Sequence, residues 1–212
     1  MTEDDARAWL VDHCAVSRET SERIEAFARA VLIENGHQNL ISAATEPHIW
    51  ARHIVDSAQL WMLRPKRPSI PAWLDLGTGA GFPGMVIAIL GDLPVILVEA
   101  RRKRFEFLSR QVECLRLGNV AIHRGRLEML QTQPVGVISA RAFAPLPRLF
   151  ALAHRFSTNE TVWLLPKGRS VREELESARA SWQGVFHVEP SLTDAEAAIL
   201  VATGVRPRKS VR

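Results

Sequence analysis

The stretch Trp73-Leu74-Asp75-Leu76-Gly77-Thr78-Gly79-Ala80-Gly81-Phe82-Pro83-Gly84 decides the fold. A short apolar run of strand character enters a turn with glycine at 77, 79, 81 and 84. Glycine lets a backbone turn sharply and lets a ligand approach the main chain. Pro83 suits the first turn of a helix, where its missing N–H costs nothing. In an open α/β sheet, ligands bind beyond the carboxyl ends of the strands, where this turn falls. Two patterns fit it. Gly79-x-Gly81-x-x-Gly84 matches the dinucleotide fingerprint, and Asp75-x-Gly77-x-Gly79-x-Gly81 matches the acidic-glycine loop of enzymes that use S-adenosyl-L-methionine (SAM).

The next strand, Val95–Val98, is followed by Glu99. A carboxylate there can accept both ribose hydroxyls of an adenosine-type cofactor, which suits NAD and SAM equally. Three features favour SAM. Asp75 is placed to sit near the cofactor's cationic end. Only about 140 residues follow the linker described below, too few for the separate substrate domain of a dehydrogenase. Glu128, in Gly125-Arg126-Leu127-Glu128, follows the third strand, where an acid can reach an adenine amino group.

Outward from the loop, strands alternate with amphipathic helices. Candidate strands are Ala72–Leu76, Val95–Val98, Val120–His123, Val135–Ser139, Val162–Leu165, Val185–Val188 and Ala198–Ala202. Candidate helices are Gly84–Leu90, Lys103–Leu117, Leu146–Phe156 and Val171–Trp182. This βαβα order predicts a parallel sheet covered on both faces. Upstream, residues 4–35 read as helical, with Ser21 offering an N-cap, and a third helix spans Pro47 to Leu63, started by Thr45 and stopped by Pro65. Arg64-Pro65-Lys66-Arg67-Pro68 reads as a linker. The organisation is therefore a helical subdomain, 1–68, and an α/β domain, 69–212.

The chain has 212 residues, 47% hydrophobic and 24% charged, which excludes a mostly disordered chain, a collagen and a coiled coil. The net charge of +4 is uneven: residues 1–70 carry 8 basic against 10 acidic side chains, and the remainder 19 against 13. A basic C-terminal portion is compatible with an anionic partner such as nucleic acid. Cys14 and Cys114 form neither a disulfide framework nor a zinc spacing and suit a reducing compartment. The acidic start is no signal peptide, and the run Met85 to Leu90 is far short of the ~20 residues of a membrane helix, so a cytoplasmic protein is expected.

Several further segments are selective: Asn39-Leu40-Ile41-Ser42, Arg52-His53-Ile54-Val55-Asp56-Ser57, the Gly-Phe-Pro-Gly ending of the loop, Arg101-Arg102-Lys103-Arg104 before Phe107-Leu108, Ser139-Ala140-Arg141-Ala142-Phe143-Ala144-Pro145-Leu146, and Lys167-Gly168. With them the chain resembles the bacterial 16S ribosomal RNA guanine-N7 methyltransferases, also called glucose-inhibited division protein B, over about residues 25–170. The family's usual Trp-Asn pair and apolar residue before Asn39 are Glu34-Asn35 and Gln38 in this chain. The resemblance implies a Rossmann-like class I SAM-dependent methyltransferase: α/β, with a mostly parallel seven-stranded sheet and a small N-terminal helical part. It implies SAM as cofactor and 16S rRNA, or the small ribosomal subunit, as partner. It places cofactor contacts on Gly77, Phe82, Leu127, Glu128 and Arg141, beside Asp75, Gly79 and Glu99 read from the fold.

The chemistry agrees with that implication. Guanine N7 carries a free lone pair, so no base is required and alignment supplies most of the acceleration, ~7–11 kcal/mol. After the fourth strand stands Ala144-Pro145-Leu146-Pro147, with no polar group to orient an amine, and neither cysteine lies beside a catalytic proline. Arg141 is the expected catalytic residue, offering a planar fork of donors to guanine O6 or a phosphate; a structural pairing with Asp75 or Asp56 is its alternative. His53 and Asp56 share one helical face and read as a tie between the helical part and the main domain. The run 101–104, Lys167 and the tail Arg206–Arg212 are candidates for RNA phosphate. A monomer is expected. Another RNA or a protein as acceptor, or an NAD-binding oxidoreductase, are the alternatives.

Overall fold

In the computed structural model residues 1–66 and 69–208 are described, so Arg67 and Pro68 of the linker, and Lys209 to Arg212 of the basic tail, lie outside the described residues. Two helices open the chain, α1 (Glu3–Cys14) and α2 (Arg18–Asn35). Thr2 caps α1 in a reciprocal box with Asp5. The cap of α2 is Ser17, whose side chain accepts from the Thr20 N–H, and not Ser21, which lies inside the first turn. The chain breaks at Ala15, which takes a left-handed φ of 49°.

The third helical segment is longer and less regular than its periodicity predicts. It begins as a 3-10 turn, Ala43–His48, ahead of Thr45, passes through a π-helical turn, Trp50–Val55, and ends as α3 (Asp56–Leu63). Arg64 is already extended, as the residue before a proline prefers. Two carboxylate oxygens of Glu3 accept the Trp50 and Ala51 N–H groups, each at 3.0 Å, so the first turn of α1 caps the π turn.

Seven strands follow: β1 (Trp73–Leu76), β2 (Val95–Glu99), β3 (Val120–Arg124), β4 (Val137–Ala140), β5 (Val162–Lys167), β6 (Trp182–Pro190) and β7 (Ala198–Pro207). Between them lie α4 (Gly84–Leu90), α5 (Arg102–Cys114), α6 (Leu146–Ala153) and α7 (Val171–Arg179). The sheet order is β3-β2-β1-β4-β5-β7-β6, parallel except for β7, which runs antiparallel to both neighbours. Strand order reverses between β1 and β4, the switch point at which such sheets bind ligands.

Alternation along the strands divides the core. Trp73, Val95, Leu97 and Val137 join α4, α5 and the N-terminal helices in one apolar cluster. Leu74, Leu76, Val98 and Ile138 join α6 and α7 in the other. α4 is buried along Gly84 to Ile89, with the sheet on one side and α2 and α3 on the other. Gly84 is required there, because a side-chain carbon would lie 2.2 Å from Leu97 and 2.8 Å from the Asp75 carboxylate.

Asn35 ends α2 and is buried, its side-chain oxygen accepting the Leu40 and Ile41 N–H groups at 2.6 and 2.9 Å. Its amide in turn donates to Glu46. Asn35→Ala strands two interior amides, so unfolding stability is expected to fall by about 1–3 kcal/mol. A urea titration measures this, and an unchanged midpoint would contradict it.

Candidate functional site

The loop from Gly77 leaves β1 at the carboxyl edge of the sheet, where Glu99, Gly125 and Arg141 also emerge from β2, β3 and β4. Glu99 is buried and accepts the Gly79 N–H at 3.0 Å and the Arg101 N–H at 2.7 Å. One carboxylate thus fixes both the glycine loop and the start of α5. Glu99 also lines a cavity of about 460 Å³, together with Gly77, Val98, Leu127, Glu128 and Phe143. Leu127 and Glu128 sit on a 3-10 turn, Leu127–Met129, with Leu127 buried and Glu128 exposed. The wall also carries Arg101, Arg126 and Arg148, and its apolar side chains and two carboxylates suit a nucleoside: aliphatic surface for the ring, acceptors for hydroxyls and an exocyclic amine. By this donor set the residues present fit the adenosine part of SAM. Gly77 takes φ +62°, and a side-chain carbon there would meet the Phe143 ring at 2.6 Å. Gly79 contributes its N–H to Glu99 and is not part of the cavity wall.

Asp75 is not where the sequence places it. Its side chain is fully buried beneath the loop and faces neither cavity. It accepts the Gly84 N–H at 3.0 Å and the Ser139 hydroxyl at 2.6 Å, and Ser139 accepts the Trp73 indole N–H at 2.8 Å. Burial pushes its carboxyl above the ordinary range, opposed by those hydrogen bonds. Strand β1 points this acid inward, so it ties β1, β4 and α4 together and does not face a cofactor's ammonium.

A second cavity, of about 630 Å³, adjoins β4, lined among others by Arg52, His53, Asp56, Arg141, Phe143 and Lys167. Arg141 bonds three of the residues around it. Its guanidinium donates to the His53 Nδ1 at 2.9 Å, the Asp56 carboxylate at 3.4 Å and the Arg52 carbonyl at 3.4 Å. It also lies over the Phe82 ring, which stacks on His53. Arginine has only donors, so His53 Nδ1 accepts and its Nε2–H donates to the Thr45 hydroxyl at 2.9 Å. Burial, and then the charges of Arg141 and Arg52, push the imidazole down to about 3, which holds it neutral. His53 and Asp56 do tie the helical part to β4, and the partner of Arg141 is Asp56 and not Asp75. Phe82 is buried and touches neither cavity; its place is under His53.

Sequence reasoning missed two features of this cavity. Segment 191–197, between β6 and β7, closes one side: Asp194 pairs with Arg52 at 2.7 Å, and Thr193 donates to Asp56 at 3.1 Å. Contacts across more than 130 residues leave no local signal. Phe143 lies in a quoted motif but had no role; its place between two small residues after β4 was the available signal. Of the basic candidates, Lys167 donates to Glu174 at 2.8 Å, Arg102 pairs with Glu106, and Arg104 bonds the Asn39 carbonyl.

A family model described as rRNA small subunit methyltransferase G matches residues 20–197. A protein of that name from Zymomonas mobilis subsp. mobilis is 49% identical, covering 99% of this chain and 97% of its own length. Another, from Rhizorhabdus wittichii, is 54% identical over 98% of this chain and 95% of its own. Among solved structures, a SAM-dependent methyltransferase from Aquifex aeolicus superposes with a TM-score of 0.59 at 14% identity, covering 74% of this chain and 93% of that one. An O-methyltransferase from Bacillus cereus in complex with SAH does so at 0.59 and 15%, covering 92% and 96%. These two likenesses establish the fold, that of the class I SAM-dependent methyltransferases. On the family model and the close relatives, the chain belongs to the rRNA small subunit methyltransferase G family.

Proposed function

We propose that this protein transfers the methyl group of SAM to N7 of a guanine in 16S rRNA of the small ribosomal subunit. One observation carries the choice of atom. Each imidazole or carboxylate on the wall of the larger cavity already bonds a protein partner: His53 with Arg141 and Thr45, Asp56 with Arg141, Gln59 and Thr193, Asp194 with Arg52, Glu174 with Lys167. A site with no uncommitted base suits a nucleophile that needs no deprotonation, and guanine N7 is an acceptor with a free lone pair.

SAM supplies an electrophilic methyl group on a sulfonium when bound. Glu99 would hold its ribose hydroxyls and Glu128 its adenine amino group, with Leu127 against the ring and Gly77 leaving room for the chain. Asp75 and Phe82 support this site from beneath, through the loop and through His53. Arg141 has donors beyond its three protein bonds and would present them to guanine O6 or a phosphate. It cannot take a proton, so its part is orientation and charge. We read residues 1–68 as the helical subdomain and 69–212 as the SAM-binding domain, supported by the change of pattern at Pro65, although one apolar cluster runs across both. We further read the protein as a cytoplasmic monomer, the compartment being that of the small subunit. No helix among the described residues is long and apolar enough to cross a membrane.

Labelled SAM incubated with small subunits lacking the modification should label 16S rRNA at a guanine cleavable by N7-specific chemistry. No label in that RNA overturns the reading. Arg141→Ala should lower kcat/KM for the RNA by about 10- to 100-fold, the worth of a bidentate base contact, with Lys no substitute. Glu99→Ala should weaken SAM binding about 10-fold or more by calorimetry, given ~1.5–3 kcal/mol for a hydrogen bond to a charged group. Titration of His53 sets a pH dependence. In the unfolded chain it takes a proton near pH ~6.5, and in the folded protein only near about 3. Its contribution is therefore whole above the unfolded value and is lost as pH falls from there toward 3. Urea midpoints measured against pH should show that loss, and His53→Gln should remove that part of the slope; an unaltered slope would contradict it.

A further inference from the structure

Phe143 lines both the cavity beside Glu99 and the cavity beside Arg141. It covers Gly77, where its ring would stand 2.6 Å from any side-chain carbon. The segment is held on both sides of the ring. Arg141 is bound to His53 and Asp56, and the Ala144 carbonyl accepts from Lys167 Nζ at 3.3 Å. Lys167 is in turn held by Glu174 at 2.8 Å, and Glu174 also accepts the Leu146 N–H. Between the anchors Ala142 takes φ 50°, a left-handed conformation rare outside glycine. Backbone strain of this kind persists only where the surroundings over-determine it. The direction of the ring is therefore built into the loop.

The chemistry so far makes no use of this ring, which has no proton to move and no polar atom. It offers a flat apolar face. Among the described residues lining the larger cavity it is the only phenyl or indole ring. We propose that Phe143 is a positioning residue on which the acceptor base stacks, held at the boundary between the two cavities. This rests on the methyl-transfer reading above. Bases taken out of a stack are received between aromatic and apolar side chains. A ring face accepts any base, so Phe143 would supply alignment while Arg141 supplies the preference for guanine.

Phe143→Leu keeps an apolar side chain and removes the π face. Because the ring also borders the cavity beside Glu99, a modest rise in the SAM dissociation constant is expected, much smaller than the fall in transfer, with a thermal midpoint close to that of the parent. Affinity for small-subunit rRNA with SAH present should fall, and kcat/KM for transfer should drop about 5- to 100-fold, the usual effect of losing one stacking partner. The loss should appear chiefly in KM for RNA and in kcat, with a much smaller change in KM for SAM, and Phe143→Tyr should restore it. Parental RNA affinity and rate in the leucine variant would overturn the proposal. So would a loss of SAM affinity as large as the loss of rate, or no rescue by tyrosine. Should the leucine variant fail to fold, Phe143→Met carries the same comparison. A parent protein that binds SAM but labels no rRNA overturns the methyl-transfer reading first, and the stacking role with it.

Discussion

Arg141 has only donors to offer, so the imidazole it meets must stay unprotonated. That single pairing organises the larger cavity. It fixes the tautomer of His53, sends the other ring N–H to Thr45, and seats the ring on Phe82. Through these contacts the π turn of the helical layer, the end of β4 and the glycine loop are held to one another. The guanidinium side chain is only 25% exposed and the Asp56 carboxylate 16%, so their attraction is less weakened by water than at an open surface. Removing either member leaves a partly buried charge without its partner, which is costly.

The glycine loop is held by different means. Its shape follows from two acids that do not compete. Asp75, sealed beneath, draws in the first N–H of α4, and Glu99 at the rim draws in Gly79. The loop is thereby fixed at both its ends by bonds within the protein.

The fold was largely legible in the sequence, because a doubly covered sheet needs apolar strands at regular intervals and the intervals were there. Boundaries moved by a few residues. The candidate strand Val185–Val188 grew into β6, since the long β6–β7 pairing extends what composition marks only at its centre. The π turn was invisible: its residues read as ordinary helix, and the capping acid is Glu3, 47 positions earlier than Trp50. Of the candidate site, Glu99, Leu127, Glu128 and Gly77 fall on one cavity and Arg141 on the other. Asp75 was misplaced because residue type and spacing report chemistry but not which way a strand turns a side chain. A buried acid with two protein partners reads the same in one dimension as an acid awaiting a cation.

Glu3 carries a consequence for anyone who handles the protein. Its carboxylate closes the open end of the turn that presents Arg52 and His53. Trimming the leader residues or fusing a purification handle directly ahead of them bears on a place distant in the chain but adjacent in space. An expression design that treats the first turn as dispensable would disturb the wall of the larger cavity.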